Sequence, residues 1–154
     1  MSEPLRLRAE FEAASMTALR HTAAEYAAGC GLCCVVLEDF MVGVGEIMLN
    51  VLRHGGGRGT LEMWYTDQRL TCVISDQGPG LPPSALVDRP LPDPLVDGGR
   101  GLRVARQLCD DLAVTAGPSG TTVRLVKTVP VTPTAARPLA RADRTYIGTP
   151  HRSV

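Results

Sequence analysis

Glu46, Asn50 and His54 stand four residues apart, so on a helix they share one stripe. An Asn carbonyl is a hard oxygen donor suited to Mg²⁺, and a carboxylate one turn away can accept a proton from an attacking hydroxyl or orient a water. Taken alone, such a stripe is more often the solvated face of an amphipathic helix. Gly43 and Gly45, just ahead of Glu46, each cost a helix roughly 0.5–1 kcal/mol relative to Ala, which implies close packing there.

Asp76 ends a run in which Leu70, Cys72 and Ile74 share one face, so strand parity turns its carboxylate to the same inward face. A carboxylate so placed needs a donor, and an adenine amino group would serve; the bland alternative is an Asp capping a surface turn. Gly78 and Gly80 follow, in a turn where backbone can approach a flat ligand. Gly98, Gly99, Arg100 and Gly101 precede a helical pattern beginning at Leu102, and a Gly-rich helix N-terminus offers N–H groups to phosphate. Neither Gly-x-x-x-x-Gly-Lys-Ser/Thr nor Gly-x-Gly-x-x-Gly after a strand occurs, which removes the P-loop and dinucleotide-fold readings. Thr121, after Gly120, shares parity with Val123 and Leu125, which turns its hydroxyl inward.

The elements that position these residues follow from periodicity. Leu5 and Leu7 alternate with Arg6 and Arg8, giving a first strand over residues 4–9. Helix one is expected from Ala13 to about Ala28 and helix two from about Cys33 to His54. Thr60 to Tyr65 and Leu70 to Asp76 read as a hairpin. Leu102, Ala105, Leu108, Cys109 and Leu112 mark helix three, and Asp111 to Ala116 and Thr121 to Lys127 close the fold as a second hairpin. The order predicts a two-layer α/β sandwich with a mixed, largely antiparallel sheet and helices on one face. Residues 77–99, rich in Gly and Pro, read as a long functional loop of the lid kind. Residues 1–128 form the expected domain, and 129–154 a Pro- and Arg-rich disordered tail.

Composition narrows the function. Lys plus Arg equals Asp plus Glu at 16 each, so the molecule lacks the basic footprint of a nucleic-acid binder. The balance conceals a tail of net +3, from Arg137, Arg141, Arg144 and Arg152 against Asp143. No apolar run is long enough to span a membrane, and no leader pattern is evident, so a cytoplasmic location is expected. Five cysteines are an odd number. Cys33, Cys34 and Cys72 read as reduced core thiols, and Cys30-x-x-Cys33 has no second ligand pair at zinc spacing.

In order, Glu46-x-x-x-Asn50-x-x-x-His54, Asp76-x-Gly78-x-Gly80, Gly99-Arg100-Gly101-Leu102 and Gly120-Thr121 resemble the four sequence boxes of the histidine-kinase-like ATPase superfamily. The resemblance spans about residues 4–128, and its short form is similar to the anti-sigma-factor serine/threonine kinases of the RsbW type. It implies ATP and Mg²⁺ as ligands, with Asn50 holding the metal, Glu46 as catalytic base, Asp76 on the adenine amino group and Thr121 supporting the base. Gly78, Gly80, Gly98, Gly99, Arg100, Gly101 and Leu102 would shape the pocket and lid, and His54 would complete the first box. It also implies an anti-anti-sigma factor as phosphoacceptor, a sigma factor as sequestered partner, and a homodimer. A sensor histidine kinase would need a two-helix dimerisation hairpin ahead of the ATPase domain, and His21 reads instead as a helix surface residue. The alternative function is a non-catalytic, nucleotide-sensing binding module.

Overall fold

The computed structural model describes residues 5–78 and 100–130. Within them the chain forms β1 (Arg6–Glu12), α1 (Met16–Gly29), α2 (Cys34–His54), β2 (Arg58–Thr66), β3 (Arg69–Asp76), α3 (Arg100–Leu108), β4 (Asp111–Gly117) and β5 (Gly120–Thr128). Gly80, Gly98, Gly99, the expected lid over 81–99 and the tail from residue 131 lie outside the described residues.

The strands make one open sheet in the order β1-β2-β3-β5-β4. Every neighbouring pair is antiparallel, which carries the mixed, largely antiparallel sheet expected from the sequence to its fully antiparallel form. The reason is that β4 and β5 form a hairpin whose second strand turns back into the sheet beside β3. The β2–β3 hairpin closes through Asp67 and Gln68, both at positive φ (53° and 62°), the backbone that a two-residue turn needs to match strand twist.

Registration lines the apolar residues into rows across the sheet. One runs Leu7, Met63, Cys72, Leu125, Leu112, and the next Ala9, Leu61, Ile74, Val123, Val114. Period-two alternation gives each row a single face, and the central members of both are buried. A third row holds Phe11, Gly59 and Asp76, so the carboxylate continues an otherwise apolar face. The opposite face is polar: the Arg6 guanidinium donates to Glu62 Oε1 at 2.7 Å and lies 4.8 Å from the Trp64 ring centroid.

Helix α2 spans the buried face and carries the centre of the core. Phe40, Met41, Val44, Ile47, Met48 and Val51 recur every three to four residues, and all are buried. It lies between α1 and α3, and its two internal glycines mark those contacts. A side chain at 43 would meet Ala105 Cα of α3 and, just beyond that helix, Cys109 Sγ, both at 3.5 Å; one at 45 would meet the Arg20 guanidinium of α1 at 3.2 Å. The close packing inferred from their helix cost is therefore real, on two different neighbours. No described helix is long and apolar enough to cross a membrane.

Two sequence expectations need correction. Leu112 does not extend α3, which stops at Leu108; it belongs to β4, opposite Leu125, because half-burial on a strand satisfies the same apolar residue. Cys33 and Cys34 are exposed, not core, because Leu32 fills the core position at the start of α2 and turns the two thiols outward. Val129 adds a core contact beyond β5: it is buried, its N–H donates to Gln68 O at 2.7 Å, and its side chain abuts Gly31.

Burial separates the thiols chemically. It pushes Cys30 and Cys109 up to about 11 and raises Cys72 further, so these hold little of the reactive thiolate. We expect a charged maleimide to label Cys33 and Cys34 of the native chain first, with Cys72 modified only on unfolding. Peptide mapping by mass spectrometry checks this, and early labelling of Cys72 would contradict the packing of β3.

Candidate active site

The third row of the sheet ends in a cleft of about 290 Å³ beneath the C-terminal half of α2. Its walls are apolar, from Ile47 and Val51 of α2, Ile74 of β3 and Val123 of β5. Four polar side chains interrupt them: Asn50, His54, Asp76 and Thr121. The cleft is open to solvent, and apolar walls with a few convergent polar groups suit a flat heteroaromatic ring.

Asp76 is held from two sides. Its Oδ1 accepts the Gly78 N–H at 2.9 Å and the Thr121 N–H at 3.2 Å. A carboxylate has about four acceptor sites, so two backbone bonds fix its orientation and leave capacity for a ligand donor. Glycines make room for it. A side chain at 55 would collide with Asp76 Oδ2, and one at 120 with the Asp76 carbonyl oxygen. One at 78 would stand 2.5 Å from the Gly55 carbonyl carbon. Gly120 also has φ +137°, a conformation L side chains rarely adopt.

Along α2 the polar stripe is present and faces two surroundings. His54 and Asn50 reach the cleft, and His54 Nε2 and Asn50 Nδ2 are buried with no hydrogen-bond partner among the described residues. Unpaired buried donors or acceptors cost about 1–3 kcal/mol each, so the pair marks a place where a polar ligand would be stabilising. Glu46 lies one turn further back and does not line the cleft. Both it and Asn50 converge on Gly101, where a Cβ would meet Asn50 Oδ1 at 3.2 Å, Asn50 Nδ2 at 3.3 Å and Glu46 Oε2 at 3.3 Å. The Asn50 amide oxygen is a hard neutral donor that fits Mg²⁺, and the Glu46 carboxylate lies beside it.

Of the residues expected from sequence, the structure brings Asn50, His54, Asp76 and Thr121 to one cleft, with Gly78 against its rim and Gly101 over Asn50 and Glu46. Arg100 opens α3, and Leu102 is buried in the core, 3% exposed, holding α3 to the sheet layer. Sequence reasoning missed Gly55 and Gly59. Gly55 reads as a helix stop, and only the registration of β3 shows that it clears Asp76. Gly59 pairs with Asp76 and admits Val51, whose Cγ1 would lie 2.8 Å from a Cβ there.

The sequence profile of the histidine kinase-like ATPase domain matches residues 9–127, which takes in every described site residue. The chain belongs to the histidine kinase-like ATPase domain family. The histidine kinase-like ATPase fold recurs in solved structures. The RsbU and RsbW domains of Rv1364c from Mycobacterium tuberculosis superpose with a TM-score of 0.58 at 16% identity, covering 83% of this chain and 32% of that one. The histidine kinase domain of the blue-light-activated kinase from Erythrobacter litoralis is similar at 26% identity and TM-score 0.48, covering 61% and 48%. That of the E. coli osmosensor EnvZ is similar at 15% identity and TM-score 0.46, covering 89% and 96%. The chain thus spans less than half the length of the first two. No curated protein matches it. Membership of this ATPase family implies ATP as the nucleotide.

If the glycines exist to admit Asp76, Gly120→Ala should lose more than about 1 kcal/mol of stability, whereas Gly117→Ala in the same hairpin, with nothing near its would-be Cβ, should stay within about 0.5 kcal/mol. Urea unfolding of both variants measures the difference. Equal losses would mean that the turn, and not the approach to Asp76, sets the requirement.

Proposed function

We propose that the chain is an ATP-dependent protein serine kinase and anti-sigma regulatory factor of the RsbW type, acting in the cytoplasm as a homodimer. In this reading it phosphorylates an anti-anti-sigma partner and otherwise sequesters a sigma factor. The observation that carries the reading is the convergence of Asp76 and Thr121 with Asn50 and His54, whose Nδ2 and Nε2 have no partner among the described residues, in one apolar-walled cleft. The likeness to the RsbU–RsbW structure supports the fold; the ordered boxes of the sequence support the regulatory assignment.

Each residue then has a chemical task. Asp76 accepts the adenine amino group, and Ile47, Val51, Ile74 and Val123 exclude water from the ring. Asn50 contributes its amide oxygen to Mg²⁺, which when bound neutralises phosphate charge. Glu46 receives the proton of the acceptor serine as that oxygen bonds to the γ-phosphorus and the bridging oxygen leaves with ADP. Gly101 brings the N-terminus of α3 against Asn50 and Glu46 without a side chain between them.

The position of Glu46 outside the cleft lining favours a second reading, a binding module that senses nucleotide without transferring phosphate. The two separate at one side chain. Glu46→Gln should keep ATP affinity yet slow transfer of labelled γ-phosphate to a purified anti-anti-sigma protein, by on the order of 10²–10⁴ if proton removal limits the step. Asn50→Ala should reduce both. Transfer at the unaltered rate by Glu46→Gln would remove Glu46 from the mechanism, and no transfer by the parent chain would establish the binding module.

A further inference from the structure

The large apolar side chains exposed among the described residues all lie on the first half of α2: Val35 is 65% exposed, Val42 44% and Val36 37%. Nothing local asks for them. Valine forms helix less readily than Leu or Ala because branching at Cβ restricts χ1, so exposed valines there favour neither solubility nor helicity.

Their placement relative to the candidate base is informative. At about 100° per residue, Val35, Val42 and Glu46 fall within about 40° of one another on the helix circumference. They form one stripe, exposed at Val35 and Val42 and half-buried at Glu46, whose carboxylate lies against Gly101 of α3, with Glu38 and Asp39 flanking it. Gly45 on one side packs against α1 and Gly43 on the other against α3, so the stripe lies between two helices. Glu38, Asp39 and Glu46 form no ion pair with any described residue. Arg53, exposed, is the basic residue at the far end of the same stripe. The stripe itself therefore has direction, apolar and acidic approaching Glu46 and basic beyond it, with the Arg20 guanidinium of α1 at its side against Gly45.

We infer that this stripe docks the protein substrate, through a basic amphipathic segment that places apolar side chains on Val35 and Val42, cations against Glu38 and Asp39, and its acceptor serine at Glu46. The inference rests on the kinase reading for the role of Glu46, but the docking surface stands on exposure and charge alone. Unpaired carboxylates beside an apolar strip select a cationic amphipathic partner and repel an acidic one. An exposed apolar patch continuous with a candidate site marks a binding surface.

The test uses a fluorescent peptide of Leu, Arg and Ser, with leucines two helical turns apart and arginines beside them, and a second peptide with Glu in place of Arg. By anisotropy the full chain should bind the basic peptide at least roughly tenfold more tightly than the acidic one. Val35→Asp with Val42→Asp, and separately Glu38→Lys with Asp39→Lys, should each weaken the basic peptide by roughly tenfold or more, while ATP affinity by calorimetry is unchanged. All four positions lie away from the cleft lining, and circular dichroism verifies the fold of each variant. Failure of the parent chain to bind the basic peptide, equal binding of both peptides, or variants that bind like the parent would overturn the proposal. So would stripe variants that turn a dimer into monomer in sedimentation, since the occupant would then be a second copy of the chain. Selective peptide binding with no ATP affinity would support the docking surface while removing the kinase reading.

Discussion

A carboxylate at the end of a central strand, on the face of the sheet that is otherwise apolar, has to be oriented and given space, and much of the local architecture follows from that requirement. Asp76 lies in the third cross-strand row, after two rows of aliphatic residues. Two backbone N–H groups, from Gly78 and Thr121, hold one oxygen. The C-terminus of α2, the turn after β3 and the start of β5 must all approach it, and each approaches with glycine: Gly55, Gly78 and Gly120. The closure of the β4–β5 hairpin is thereby tied to the carboxylate, because the strand that supplies Thr121 is the one that begins at Gly120.

Helix α2 is the second common element. Its inner face supplies the core and the apolar wall of the cleft, its end carries His54 and Asn50, and its outer face carries the exposed valines, with the half-buried Glu46 one turn beyond Val42. A ligand in the cleft and a protein on the outer stripe would thus meet across one turn of helix, between Asn50 and Glu46. The internal glycines that let α1 and α3 close on α2 immediately precede that turn, and Gly101 of α3 covers it. Weakened local helix propensity is offset by packing on both neighbours, as expected where tertiary contacts dominate helix stability.

Much of this was legible in the sequence, for reasons that differ by element. The three-to-four-residue period of α2 is long enough to be unambiguous, and the alternation in β2 and β3 carries Asp76 inward by parity alone. The four ordered boxes carried the family, since no single box is specific. Short segments were harder to read. Leu112 suits the apolar period of α3 as well as it suits β4, and only pairing with Leu125 decides. Cys33 and Cys34 have core-like chemistry but precede the first buried turn of α2, so their exposure depends on how Leu32 packs. Gly55 suits a helix stop by local pattern, whereas its clearance of Asp76, 21 positions on, and the room that Gly59 leaves for Val51 of α2 and Phe11 of β1 are tertiary contacts that local pattern cannot show.

The central claim is that Asp76, an acceptor, reads an adenine amino donor in this cleft, and calorimetric titration of the chain with ATP and with GTP in Mg²⁺ buffer tests it most directly. Guanine presents a carbonyl acceptor where adenine presents its amino group. A charge-assisted hydrogen bond contributes about 1.5–3 kcal/mol, so ATP should bind roughly tenfold to a hundredfold more tightly than GTP. Asp76→Asn, which offers a donor as well as an acceptor, should narrow that gap. Equal affinity for the two nucleotides, or no ATP binding by the parent chain, would contradict the account.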